Sequence, residues 1–123
     1  MADFRLNNKI LIIDDDLIFC NAMKYHLIQN EYDVDICVSY KEFQEKIDVK
    51  RYDLILLDMR LKDGEGLDIL KDIADISRDK KVIIVSSYLD DEKVSKAEEL
   101  GAYKCVHKNS QLFDVLDLII DEI

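Results

Sequence analysis

Lys9-Ile10-Leu11-Ile12-Ile13 runs straight into Asp14-Asp15-Asp16, and that junction decides how the rest of the chain reads. An apolar run this short, bounded by polar segments, suits a strand buried on both faces of a parallel sheet. Outward along the chain the pattern recurs three times. Leu54-Ile55-Leu56-Leu57 ends at Asp58, Val82-Ile83-Ile84-Val85 ends at Ser86 and Ser87, and Cys105-Val106-His107 delivers Lys108. If the strands are parallel, all four ends lie on one edge, where open α/β sheets bind ligands. Carboxylates, a hydroxyl and an ammonium are then expected to meet in a single pocket.

The intervening segments read mostly as helices. Phe19, Ala22, Met23 and Leu27 recur at spacings of three and four, which predicts an amphipathic helix over about 17–30. Residues 33–38 alternate polar and apolar, the pattern of a strand with one wetter face at a sheet edge. Ser39 followed by Glu42 forms a capping-box signature for a helix burying Phe43 and Ile47. Gly64 and Gly66 break the chain before a helix carrying Leu67, Leu70, Ile73 and Ala74. A polar helix over about 90–100 stops at Gly101, residues 103–108 form the fifth strand, and Asn109 or Ser110 caps a last helix over 111–123. Five strand–helix alternations with right-handed crossovers predict an α/β fold, a doubly wound five-stranded parallel sheet with helices on both faces.

Bulk properties narrow the function. The chain has 123 residues, 49% hydrophobic and 36% charged, which suits one domain with a real core. Without linker, repeat or low-complexity tract, residues 1–123 read as a single domain. A net charge of −10 argues against direct binding to nucleic acid. Cys20, Cys37 and Cys105 are odd in number and lack C-x-x-C spacing, so neither a disulfide framework nor a zinc site is expected, and a reducing cytoplasm fits. Asp3 and Arg5 leave no signal-peptide core at the N-terminus, and no stretch approaches a membrane span.

Asp14, Asp15 and Asp58 carry the sharpest chemical signal. Crowded carboxylates raise one another's pKa unless positive charge sits among them, and Mg²⁺, a hard cation with oxygen ligands, supplies it. Asp16 reads instead as the helix N-cap. Lys108 adds a point charge suited to a carboxylate or phosphate oxygen, and Ser86 a hydroxyl that both donates and accepts. Alone, Lys108 would be a solvated surface lysine and Ser86 a loop serine bonding its own backbone. Their order after the two aspartate strands makes the set specific.

These residues resemble the receiver domain of two-component response regulators over nearly the whole chain, with a single-domain, chemotaxis-regulator-like layout. The matching pieces are Ile12-Ile13-Asp14-Asp15, Asp53 to Asp58, Gly66-Leu67, Val85-Ser86-Ser87, and Gly101-Ala102 with Lys108. The resemblance implies a flavodoxin-like receiver fold with strand order 2-1-3-4-5. It implies that Asp58 is the phosphoacceptor, taking a phosphoryl group from a histidine kinase or phosphotransfer protein. It also implies that Asp15 ligates Mg²⁺ directly, Asp14 mainly through water, and the Arg60 backbone carbonyl completes the protein's share. The implied protein is not an enzyme but a phosphoacceptor that assists its own phosphorylation and dephosphorylation. Its output would be a changed surface on the last two helices and last strand, docking an effector protein or forming a homodimer, with neither nucleic acid nor membrane as direct partner.

Four departures stand out. Where the family usually has prolines, four residues after the phosphoacceptor and just after the lysine, this chain has Lys62 and Asn109, and it contains no proline. Cys105 occupies the usual position of the switch aromatic, and alternation puts Tyr103 on the same strand face. Bulky Arg60 and Tyr88 flank the acceptor and hydroxyl positions, which predicts slow loss of the phosphoryl group. The last helix is apolar around most of its circumference outside Asp114, Asp117 and Asp121, which suits either deep packing or an interface. His26 reads as a satisfied core or boundary histidine, and His107 points away from Lys108.

The main alternative is a degenerate receiver that docks proteins without phosphate, favoured by the missing prolines and aromatic. A flavin-binding fold needs donors where the first loop is Asp-rich, and Asp58-Met59-Arg60 lacks the Asp-x-Asp nucleophile of aspartyl-phosphate phosphatases.

Overall fold

A computed structural model of the protein describes residues 8–123, so Asp3 and Arg5 lie outside the described residues. The aliphatic runs form the expected strands. β1 (Lys9–Ile13), β2 (Asp33–Cys37), β3 (Leu54–Leu57), β6 (Lys81–Ser86) and β7 (Lys104–His107) make one parallel sheet in the order β2-β1-β3-β6-β7. This is the doubly wound 2-1-3-4-5 order, with a separate two-stranded antiparallel hairpin, β4 (Arg60–Leu61) and β5 (Gly64–Glu65), inserted after β3. The helices are α1 (Leu17–Gln29), α2 (Tyr40–Lys46), α3 (Gly66–Ile76), α4 (Asp91–Glu99) and α5 (Leu112–Glu122).

Strand alternation divides the core in two. Ile10, Ile12, Leu54, Leu56, Ile83 and Val85 pack against Cys20, Met23 and Leu27 of α1 and Leu112, Leu116 and Ile120 of α5. Leu11, Ile13, Ile55, Leu57, Val82 and Ile84 face Phe43 of α2, Ile69, Leu70 and Ile73 of α3, and Ala97 of α4. Each central strand is therefore apolar on both sides, which is why its sequence does not alternate. β2 lies at an edge, and its Asp35 is only half-buried, as its alternation predicts. Among the described residues no helix is long and apolar enough to cross a membrane.

Helix ends follow local chemistry. Asp16, Ser39 and Asp90 each accept a first-turn amide, capping α1, α2 and α4. The Ser39–Glu42 box is present with one change: Glu42 reaches back to the Val38 amide at 2.8 Å rather than to Ser39. Gly101 ends α4 with φ +105°, where an L-residue is strained.

Three sequence expectations are corrected. Ala22 is exposed, and the buried stripe of α1 is Cys20, Met23 and Leu27, because these are the positions that face the sheet and the Leu112–Leu116–Ile120 stripe of α5. Neither Asn109 nor Ser110 is the cap of α5: Gln111 holds that position without a side-chain bond, while Asn109 accepts the Gln111 amide in the preceding turn. Tyr103 does not share the face of Cys105. It packs with the α1/α5 core while Cys105 packs on the opposite side, because β7 begins at Lys104 and alternation does not extend back to Tyr103.

Candidate functional site

The parallel register brings the strand ends together one residue past each ladder. The Asp14 amide donates to the Cys37 carbonyl, Asp58 to that of Ile13, and Lys108 to that of Ser86, each at 3.0 Å. Asp14 and Asp58 thus emerge side by side from β1 and β3, with Asp15 next to them. Ligand atoms of Asp14, Asp15 and Asp58 all lie within 4.8 Å of one another. The cleft they line, about 250 Å³, is completed by Asp16, Arg60, Ser87, Tyr88 and Lys108. A larger cleft of about 450 Å³ between α3, β6 and the end of α4 gathers no comparable cluster of carboxylates.

Gly66 fixes how the segment after the acceptor returns. Its amide donates to the Met59 carbonyl at 2.8 Å, and a Cβ there would collide with the Asp58 carbonyl and the Met59 Cα. Only glycine lets the chain pass so close beneath Asp58 and start α3.

Lys108 supplies the positive charge. Its Nζ donates to Asp14 Oδ2 at 2.6 Å, lies 3.6 Å from Asp58 Oδ2, and stands 4.3 Å over the Phe19 ring. Asp14 is almost fully buried, and its other oxygen accepts the Asp16 amide at 2.9 Å. Both Asp14 oxygens therefore have protein partners, while Asp15 and Asp58 stay partly open to the cleft.

Burial pushes the Asp14 carboxyl up, and the Lys108 bond and the Asp16 amide offset part of that rise. Asp58 is pushed up to about 6, first by burial and then by the charge of Asp14, against the pull of Lys108 and of the Arg60 and Met59 amides. Burial alone would lower Lys108, but its bond to Asp14 and the charges of Asp14 and Asp58 outweigh that and hold it protonated. A single ammonium does not neutralise three carboxylates. The donor set, all hard oxygens with two members still accessible, fits a divalent cation such as Mg²⁺.

Four of the five expected side chains meet here: Asp14, Asp15, Asp58 and Lys108. Ser86 is buried just behind, its Oγ accepting the Tyr88 amide at 3.1 Å, so the hydroxyl engages its own loop. Ser87 takes its place on the cleft wall. Arg60 lies with its guanidinium 5.5 Å from the Tyr88 ring centre, so the two flanking residues touch across the mouth. His107 is exposed. His26 bonds Asp117 at 2.8 Å and packs on Phe113, tying α1 to α5. Periodicity marks Phe19 only as part of the α1 stripe, so sequence reasoning missed its place under Lys108, and it missed the Lys62 amide, which bonds Asp15 Oδ2 at 2.8 Å.

Comparison with known proteins agrees with this architecture. The family model described as "Response regulator receiver domain" matches residues 10–120. The chain is 26% identical over 114 residues to sporulation initiation phosphotransferase F of Bacillus subtilis, covering 93% of this chain and 92% of that protein. It is 29% identical over 113 residues to the transcriptional regulatory protein ZraR of Klebsiella oxytoca, covering 92% of this chain but 25% of that one. The first three curated relatives are longer, the chain spanning 25%, 45% and 59% of their lengths. The crystal structure of a two-component response regulator from Clostridium difficile superposes with a TM-score of 0.86 at 27% identity, covering 94% of this chain and 93% of that one. With the strand order and the matched span in agreement, the chain belongs to the response regulator receiver domain family.

Proposed function

We propose that this protein accepts a phosphoryl group onto Asp58 from the phosphohistidine of a sensor kinase or phosphotransfer protein, in a Mg²⁺-dependent reaction within the cytoplasm. The observation that carries this reading is the convergence of Asp14, Asp15 and Asp58 on one cleft with Lys108 bonded among them. Phosphoryl acceptance is the general function of the family; the roles of individual residues are the proposal.

A carboxylate oxygen of Asp58 attacks phosphorus as the phosphorus–nitrogen bond to the donor imidazole breaks, giving an acyl phosphate. Such transfer depends on alignment and charge neutralisation more than on covalent assistance. Asp15, Asp58 and the Arg60 carbonyl would hold Mg²⁺, with Asp14 acting through water because both its oxygens are taken. Bound there, the cation would neutralise phosphoryl oxygens. Lys108 stabilises another phosphoryl oxygen. Ser86 accepts from Tyr88, which leaves its own proton to donate to the phosphoryl group and links that contact to the loop before α4. Closure of that contact shifts the domain between two states and alters the α4–β7–α5 surface, where an effector protein or a second copy docks.

Mass spectrometry after incubation with Mg²⁺ and acetyl phosphate tests the reading. The expected outcome is one phosphoryl adduct, absent in Asp58→Asn and without Mg²⁺. No adduct with any divalent metal or donor would instead favour a docking module that works without phosphate. The Cys105 position, which offers no aromatic side chain, is the feature most compatible with that alternative.

A further inference from the structure

Asp15 differs from its two neighbours in where its support comes from. Asp14 and Asp58 accept amides of their own turns and share Lys108. Asp15 Oδ2 instead accepts the backbone N–H of Lys62, 47 positions away, in the turn between β4 and β5. That turn is itself anchored. Asp63 accepts the amides of Tyr40 and Lys41 at 2.8 and 3.0 Å, at the start of α2, and the Tyr40 hydroxyl donates to Asp72 of α3 at 2.8 Å. The Lys62 amide is therefore presented from a fixed platform rather than from a loose loop.

We infer that the Lys62 backbone amide is a positioning group for the metal site: it holds one oxygen of Asp15 and leaves the other as the ligand atom. This role rests on the metal reading proposed above. A carboxylate at a half-exposed loop otherwise samples several rotamers, and binding a cation must freeze them. An outer hydrogen bond that fixes the ligand beforehand removes that cost. The side chain of Lys62 is exposed and plays no part; only the nitrogen matters. Proline at this position carries no N–H and cannot make the bond.

Mg²⁺ titration of the full chain by calorimetry tests this with two substitutions. Lys62→Ala keeps the amide and is expected to bind within about twofold of the unchanged protein, whereas Lys62→Pro deletes it and is expected to bind about three- to tenfold more weakly. Hydrogen exchange of the Lys62 amide in the unchanged protein gives a second measure that needs no substitution: saturation with Mg²⁺ should slow it. Three results would overturn the role: Lys62→Pro binding as tightly as the unchanged protein, Lys62→Ala weakening as much as Lys62→Pro, or Mg²⁺ speeding exchange at Lys62 because Asp15 leaves the amide to reach the metal. If Lys62→Pro does not fold, the exchange measurement decides. A folded, unchanged protein that binds no Mg²⁺ removes the metal site and this role together; normal binding unaffected by Lys62→Pro removes the role alone.

Discussion

Arg60 and Tyr88 show how two exposed side chains can matter more together than apart. Each reads from sequence only as bulk beside the acceptor; in the structure the guanidinium and the ring meet across the mouth of the cleft. Hydrolysis of an acyl phosphate at Asp58 would need water to approach in line, and the proposed role of this pair, which lines the same cleft, is to crowd that approach. The double variant Arg60→Ala/Tyr88→Ala is expected to lose its phosphoryl group at least about fivefold faster, roughly 1 kcal/mol in barrier. Decay of the phosphorylated mass after removal of donor measures it. An unchanged half-life would rule the pair out as a gate. The aspartates are legible beforehand because Asp14 and Asp58 directly follow buried strands and Asp15 comes next after Asp14, and Lys108 because it directly follows the last strand of the sheet. The Ser86 rotamer is not, since a hydroxyl can bond its own loop or a ligand with the same sequence around it.

Helices and strands reach the site through their junctions. Gly66 opens α3 beneath Asp58, and its missing Cβ is a steric requirement of the site rather than of the helix. Gly66→Ala should cost about 1–3 kcal/mol by urea unfolding and also slow phosphorylation, because relief of the clash displaces the Asp58 backbone. Gly101→Ala, whose strain lies in the positive φ at the far end of α4, should cost about 1–2 kcal/mol but leave phosphorylation unchanged. Equal effects of both on phosphorylation would break that distinction. The identity of the five sheet strands and five helices was readable because apolar runs and most capping residues and glycines agreed, whereas the β4–β5 hairpin and the cap of α5 were not. The phase of α1 and the start of β7 were not, since Ala22 and Tyr103 take their faces from packing partners remote in sequence.

The domain as a whole carries the electrostatic cost of its cleft. A carboxylic acid raised to about 6 in the folded state, against 3.8 for the ordinary group, binds its proton more tightly when folded. Ionising Asp58 therefore opposes folding: the penalty is absent below about 3.8, grows as pH rises, and is complete above about 6. Without metal, Asp58→Asn is expected to stabilise the protein at pH 7.5 by about 1–3 kcal/mol, a gain that fades as pH falls from about 6 toward 4. Urea unfolding across that range, in chelator, measures it. A gain independent of pH would assign the effect to packing instead. Millimolar Mg²⁺ should shrink the difference by stabilising the unchanged protein selectively.

Three aliphatic runs, the shorter Cys105–His107 run, the alternating segment 33–38 and the polar residues that end the runs were enough to indicate a five-stranded parallel sheet and the cluster of Asp14, Asp15, Asp58 and Lys108, because parallel strands bring their C-terminal ends to one edge whatever the loops do. Composition and periodicity could not reach the contacts made by backbone or by rotamer. The Lys62 amide on Asp15, the Ser86 hydroxyl turned to Tyr88, Arg60 against Tyr88 and Phe19 under Lys108 depend on three-dimensional placement to within an ångström or so. A backbone N–H has no letter in the sequence, and a side chain's direction is chosen by neighbours that only folding supplies.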